Sequence, residues 1–169
     1  NVLFKGIATV NKGRFEITVI LPKDINYQYG EGKLSFYAQN NTGLPDAIGF
    51  ERPIVGGSGK ILKVDNTGPK IQSYLDEKIE KETYITTPNP RLLVDLEDES
   101  GINIATDGLG HQILLTLDDS TQVILNQYYT STLNTYQKGN IIYDFKGLAE
   151  GDHKLSIKVW DTYNNSSEN

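Results

Sequence analysis

Cysteine and methionine are absent from this 169-residue chain, and tryptophan occurs once. Without cysteine there is neither a disulfide framework nor a thiol nucleophile within these residues. No apolar run approaches the roughly 20 residues a membrane-spanning helix needs, and no signal-peptide pattern is present. Histidine is nearly as scarce, at His111 and His153 only. His153 follows Glu150-Gly151-Asp152 at the start of a strand pattern, so nucleophilic catalysis lacks a placed base. Basic residues are outnumbered sixteen to twenty-two, for a net charge of −6, which argues against a nucleic-acid partner. Helical periodicity is missing as well. Period-2 alternation takes its place.

The alternation restarts at Asp65-Asn66-Thr67-Gly68-Pro69. Asp, Asn and Thr can bond their own backbone, Gly permits positive φ, and Pro blocks ladder pairing from one direction. The pentapeptide reads as a junction between two β-rich modules, residues 1–64 and 65–169; an ordinary loop inside one larger sandwich is the competing reading. Charge divides at the same place. Residues 1–64 carry eight basic against five acidic side chains (+3), and residues 65–169 carry eight against seventeen (−9). Opposite net charges favour docking of the two parts, by an amount that salt screens.

In the first module, Leu3–Val10 and Arg14–Leu21 flank Asn11-Lys12-Gly13 and predict a hairpin. Further strands are expected at Lys33–Gln39, Ile48–Val55 and Ile61–Val64. Five strands in about 64 residues bury only about 60% of the unfolded surface. The module is therefore expected to be the truncated end of a larger sandwich, and the whole chain, which opens on Val2-Leu3-Phe4, an excised fragment. The second module predicts strands at Lys70–Leu75, Arg91–Leu96, Gln112–Leu117, Gln122–Leu125, Ile141–Phe145 and His153–Trp160. Thr130–Lys138 is expected to hold a short helical turn or an irregular crossover. Strands so spaced suggest an immunoglobulin-like sandwich. The fold class is all-β: two β-sandwich modules, the second immunoglobulin-like and the first truncated.

Several motifs fail on inspection. Gly56-Gly57-Ser58-Gly59-Lys60 has Lys60 where a nucleophile elbow needs its second Gly, and no helix follows. As a phosphate loop it lacks the leading Gly, replaced by Ile54, and the Ser/Thr after Lys, replaced by Ile61. The acidic runs Glu97-Asp98-Glu99 and Asp118-Asp119 are ordinary at strand ends and give glycosidase chemistry little support. Hard-oxygen ligands do gather at two strand ends, Asp98 and Glu99 at one and Asp161, Asn164 and Asn165 at the other. Should those ends meet, they would suit calcium, although the EF-hand spacing is wrong because Thr106 stands where a bidentate Glu belongs. Turns closed by Asx bonds account for the same residues and weigh more, since these residue types dominate turns. Tyr27, Tyr29, Tyr128, Tyr129 and Tyr136 lie in loop-like segments. They could stack on sugar or on a partner, or pack on the chain's own strands.

An ordered set of strings carries a family resemblance. It runs Gly13-Arg14-Phe15, Pro22-Lys23-Asp24-Ile25-Asn26-Tyr27, Gly30-Glu31-Gly32-Lys33-Leu34-Ser35-Phe36-Tyr37-Ala38, Val55-Gly56-Gly57 and Asp65-Asn66-Thr67-Gly68-Pro69. It continues through Asp98-Glu99-Ser100-Gly101-Ile102-Asn103, Leu125-Asn126-Gln127-Tyr128-Tyr129, Tyr136-Gln137-Lys138-Gly139 and Val159-Trp160-Asp161-Thr162-Tyr163-Asn164-Asn165-Ser166-Ser167. Together these resemble the C-terminal, non-catalytic region of the type IX secretion sortases, in the gingipain-like cysteine peptidase family. The resemblance implies a parent enzyme at the cell surface, associated with the outer membrane. That parent removes C-terminal secretion signals and attaches cargo to anionic lipopolysaccharide. The catalytic Cys and His of the family have no counterpart here, so no catalytic residue carries over. Implied partners are the upstream catalytic domain, outer-membrane secretion components and the cargo's C-terminal signal domain. The alternative is an adhesive or carbohydrate-binding sandwich pair of another bacterial surface protein.

Overall fold

The computed structural model describes residues 2–40, 46–59, 64–106 and 110–169. Among the described residues, twelve short strands run in chain order. Four precede the Asp65 junction: β1 (Gly30–Glu31), β2 (Leu34–Ala38), β3 (Ala47–Glu51) and β4 (Ile54–Val55). Eight follow it: β5 (Lys70–Leu75), β6 (Arg91–Glu97), β7 (Leu114–Leu117), β8 (Thr121–Ile124), β9 (Tyr129–Ser131), β10 (Lys138–Asp144), β11 (Leu155–Trp160) and β12 (Ser166–Glu168). A 3-10 turn, Asn126–Tyr128, leads into β9.

The later strands form two antiparallel four-stranded sheets, in the orders β5-β6-β10-β9 and β12-β11-β7-β8. Their inward residues follow from the alternation. Leu92, Val94 and Leu96 of β6 and Ile141 of β10 meet Leu115 of β7 and Ile157 and Val159 of β11 in one buried cluster. Each such side chain contributes about 1.5–3 kcal/mol on burial. The all-β, sandwich-type architecture is thus built by period-2 patterning on both sheets.

The earlier strands pair only two by two, β1 with β4 and β2 with β3. Phe36 of β2 packs on Phe15 at 5.4 Å between ring centroids. Among the described residues before the junction, no hydrophobic side chain belongs to the buried core cluster or packs against it. Fourteen of the large hydrophobic side chains left exposed lie between Val2 and Val64, among them Ile48 and Phe50 on the outer face of β3. Burial, then, is concentrated after the junction.

The predicted hairpin over Leu3–Leu21 is reduced to its tip. Asn11 and Arg14 exchange backbone bonds of 2.8 and 3.0 Å around Lys12 and Gly13, both at positive φ as a tight hairpin turn requires. Beyond that bridge the ladder does not form, because residues 7–9 bond elsewhere. Asn134 N–H donates to the Ile7 carbonyl, its side-chain oxygen accepts from Thr9 N–H, and its amide donates to the Thr9 hydroxyl. Ile48–Val55 divides into β3 and β4, since Arg52-Pro53 interrupts pairing. The Ile61–Val64 strand lies mostly outside the described residues. In Thr130–Lys138 the expected helical turn is displaced to Asn126–Tyr128, and Tyr129–Ser131 forms strand instead. Gly68 also differs from expectation. Its φ is not positive; a Cβ there would lie 2.4 Å from the Ser166 carbonyl carbon, so it permits close approach of two backbones.

Candidate functional site

Three loops converge at one end of the sandwich. Asp65 stands at the junction, Asp98 just after β6 and Asp161 just after β11, all three buried. Each offers a carboxylate oxygen, and these atoms all lie within 4.8 Å of one another. The local sequence explains how each is held. Asp65 Oδ1 accepts from Thr67 N–H (3.1 Å) and the Thr67 hydroxyl (3.0 Å). Asp98 Oδ1 accepts the equivalent pair from Ser100, at 2.8 and 2.6 Å. Asp161 Oδ1 accepts from Tyr163 N–H (2.9 Å) and Asn165 N–H (2.7 Å). All three are Asx turns, in which a carboxylate replaces a backbone acceptor two residues before the donor.

Asn165 cross-links the loops. Its side-chain amide donates to Asp161 Oδ2 (2.7 Å) and to the Asp65 carbonyl (3.1 Å). The Thr162 hydroxyl and N–H donate to the carbonyls of Ser100 and Gly101 at 2.8 and 3.1 Å. Burial pushes the Asp98 carboxyl above its ordinary value, against the Ser100 hydrogen bonds and helped by the charges of Asp161 and Asp65. Asp161 is pushed the same way by burial, opposed by its Asn165 and Tyr163 bonds and assisted by Asp65. An all-oxygen set of this kind matches what a hard divalent cation such as calcium coordinates. The Asx turns alone are also a sufficient reason for these residue types.

Of the predicted ligand set, the structure brings Asp98, Asp161 and Asn165 together. Asn164 sits beside them in the left-handed region (φ 70°), with its Oδ1 shielded from solvent and lacking a hydrogen-bond partner. Glu99 stays exposed, outside the cluster. Asp65 belongs to the site and was read from sequence as a turn residue only. The signal that could have found it is a repeated spacing: Asp65-Asn66-Thr67 and Asp98-Glu99-Ser100 place a hydroxyl two residues after the carboxylate in the same way.

A second polar junction ties the early residues to the sandwich. Asp24 Oδ2 is 2.8 Å from His111 Nδ1, and both Asp24 oxygens accept from the buried Asn103 amide at 3.2 and 3.3 Å. His111 stacks on Trp160 at 4.2 Å. Lys23 N–H donates to the Thr162 carbonyl, and its ammonium lies 4.1 Å over the Tyr163 ring. This histidine is therefore a structural contact.

The loop tyrosines do not form one aromatic row. Tyr129 is in the core, with its hydroxyl pushed well above its ordinary value by burial. Tyr128 meets Tyr143 edge-on at 5.2 Å, and Tyr29 is largely exposed.

No protein-family model matches the chain, and no curated protein does. Among solved structures it matches dimeric latent PorU from Porphyromonas gingivalis, with 34% sequence identity and a TM-score of 0.61. The match covers 92% of this chain and 15% of the PorU chain. The chain is similar, in sequence as in fold, to a part of PorU.

Proposed function

We propose that this chain is a non-catalytic accessory region of a PorU-like cell-surface sortase, and that it braces the parent's catalytic domain. The observation that carries this reading is the 34% identity to PorU sustained over 92% of the chain. Absence of cysteine is consistent with it, since the thiol chemistry would reside elsewhere in the parent. Bracing is favoured over cargo reception or docking on the secretion assembly by the residues before the junction. Among the described residues there, fourteen large hydrophobic side chains are exposed, five of them (Leu34, Tyr37, Ile48, Phe50 and Ile54) on the two-stranded sheets, and none joins the buried core cluster. A surface of that kind is stable when covered by more polypeptide.

Sequencing the native gene upstream of Asn1 tests the reading first. A frame encoding a peptidase-like domain, with a His and a Cys in family order, is the expected result. Further sandwich repeats would overturn it in favour of an adhesive protein. Hydrogen exchange then tests the role: residues 2–59 should be protected in the longer protein and exchange freely in this chain. A pull-down of cargo signal domain by this chain would move the role from bracing to reception.

A further inference from the structure

The crossover from β10 to β11, residues 145–154, carries the chain from one sheet to the other and is fastened at its two ends. At the first, Phe145 N–H donates to the Pro90 carbonyl at 3.0 Å, Gly147 N–H to Asn89 Oδ1 at 2.9 Å and Leu148 N–H to the Pro88 carbonyl at 2.8 Å. The Leu148 side chain packs against the core cluster. At the second, Lys154 N–H donates to Asp118 Oδ1 and Asp118 N–H to the Lys154 carbonyl, both at 2.9 Å. Between them, Ala149, Glu150, Gly151 and Asp152 donate no backbone hydrogen bond among the described residues. Gly147 and Gly151, at φ 66° and 138°, supply hinge positions on either side of Leu148-Ala149-Glu150.

One side chain spans the unfastened stretch. His153 Nε2 lies 2.9 Å from the Ala149 carbonyl, and its Nδ1 lies 2.7 Å from Asp118 Oδ2. A carbonyl only accepts, and so does an ionised carboxylate, so both ring nitrogens must donate. Neutral imidazole has a single N–H. The geometry is that of the imidazolium. Two carboxylates favour that charge, Asp118 from the turn between β7 and β8 and Asp152 from the same segment. The other charged groups around the ring are Glu150, Lys154, whose ammonium lies 3.3 Å from Asp119, and Glu80, Lys81 and Glu82 across the adjoining groove. Lys81 is itself held by Glu77 at 3.0 Å.

We propose that His153 is a proton-operated latch: as an imidazolium it joins Ala149 to Asp118, and on losing a proton it keeps Asp118 and releases the segment between Gly147 and Gly151. The bond to Asp118 is the charge-assisted one, so the remaining proton stays on Nδ1. Nε2 gives its proton to water and then turns a lone pair toward the Ala149 carbonyl oxygen, which repels it. The segment pivots on its glycines, and Leu148 leaves the edge of the core. The direction follows from the Ala149 and Asp118 bonds, which raise the ring above its ordinary value. The latch is closed below that ordinary value and opens as pH rises through the raised one. It stands on the crossover alone and is independent of the sortase reading.

The experiment is nitrogen-15 NMR of the 169-residue chain from about pH 5 to about pH 8.5, a range that brackets histidine titration. Ring-nitrogen shifts report the proton on each histidine nitrogen, and amide exchange reports the segment. The expected result is a His153 ring that loses its proton from Nε2. Protection of the Leu148 amide, corrected for intrinsic exchange at each pH, should fall about tenfold with the same midpoint, the scale of one lost hydrogen bond to a charged group. His153→Leu, which has no donor, should hold Leu148 at the reduced level throughout. Leu148 protection that does not follow the His153 midpoint would overturn the proposal, as would protection that still changes with pH in His153→Leu. So would a ring whose unprotonated nitrogen is Nδ1. Should His153→Leu not fold, the two midpoints and the ring nitrogen of the parent chain decide the outcome by themselves.

Discussion

Asp24 and His111, 87 positions apart in sequence, meet at 2.8 Å and tie the early residues to the sandwich. The same carboxylate satisfies the amide of Asn103, which is fully buried. Asp24→Ala leaves that amide without its acceptor, and an orphaned buried donor costs about 1–3 kcal/mol. Urea denaturation should register a loss of that order. Limited proteolysis should show faster cleavage within residues 2–59, because the contact that holds Pro22-Lys23-Asp24 against the Thr162 carbonyl is weakened.

The carboxylate cluster predicts an inverted pH response. Asp98 and Asp161 are raised above their ordinary values by burial, so the folded state holds their protons more tightly than the unfolded chain does. Their contribution to stability is fully present below the unfolded carboxylate range and is lost as pH rises through the raised values. Asp98→Asn keeps an oxygen for the Ser100 bonds and removes the charge. In the presence of a chelator its Tm at pH 7 should exceed the parent's, and the difference should vanish at acidic pH. A lower Tm for the variant at pH 7 would show that the charge is compensated in the folded chain.

His153 responds in a different window. Its Nε2 lies 2.9 Å from the Ala149 carbonyl and its Nδ1 2.7 Å from Asp118, and both contacts raise its pKa. A raised histidine contributes stability that is present below its ordinary value near 6.5 and is lost as pH rises through its folded value. Asp118 moves the opposite way, lowered by the Lys154 N–H and by His153, so its contribution appears only above the unfolded Asp range. His153→Gln should therefore flatten the fall of Tm between about pH 6 and 8. An unchanged slope would mean the ring does not hold its proton against Asp118.

The uneven burial predicts uneven tolerance. Ile141→Ala removes a side chain with no exposed surface, at a cost of about 2–5 kcal/mol. Phe50→Ala, at 61% exposure on β3, should fall within about 0.5 kcal/mol of the parent chain. A large loss for Phe50→Ala would show that β2 and β3 are covered in the isolated chain, and would weaken the bracing role with it.

These contrasts also mark how far sequence patterning reaches. Residues 91–97 and 155–160 alternate cleanly, and their strands form where the alternation places them. Tyr129–Ser131 and Ser166–Glu168 carry no such alternation; they are strands because β10 and β11 offer them edges. Leu3–Val10 alternates too weakly to outweigh a tertiary competitor, Asn134. The candidate site shows the same division. Asp98 and Asp161 are legible as acidic groups at strand ends. Their meeting with Asp65 depends on a loop crossing that only the fold determines.

Gly68 supplies the last prediction. The turn chemistry of Asp65-Asn66-Thr67-Gly68-Pro69 suggests a glycine chosen for positive φ, and on that reading alanine would be strained by its own backbone. In the structure the constraint comes from across the fold, where an added Cβ would sit 2.4 Å from the Ser166 carbonyl carbon and 2.5 Å from its oxygen. Backbone yields less readily than a side chain, so Gly68→Ala must push the junction away from the start of β12. Overpacking of this kind costs about 1–3 kcal/mol. The displacement would also pull the Asp65 carbonyl from the Asn165 amide and loosen the carboxylate cluster. The check is Gly68→Ala combined with Asn165→Ala. If the clash acts through that amide, the double variant loses less than the sum of the single losses. Strict additivity would confine the effect of Gly68 to β12 alone.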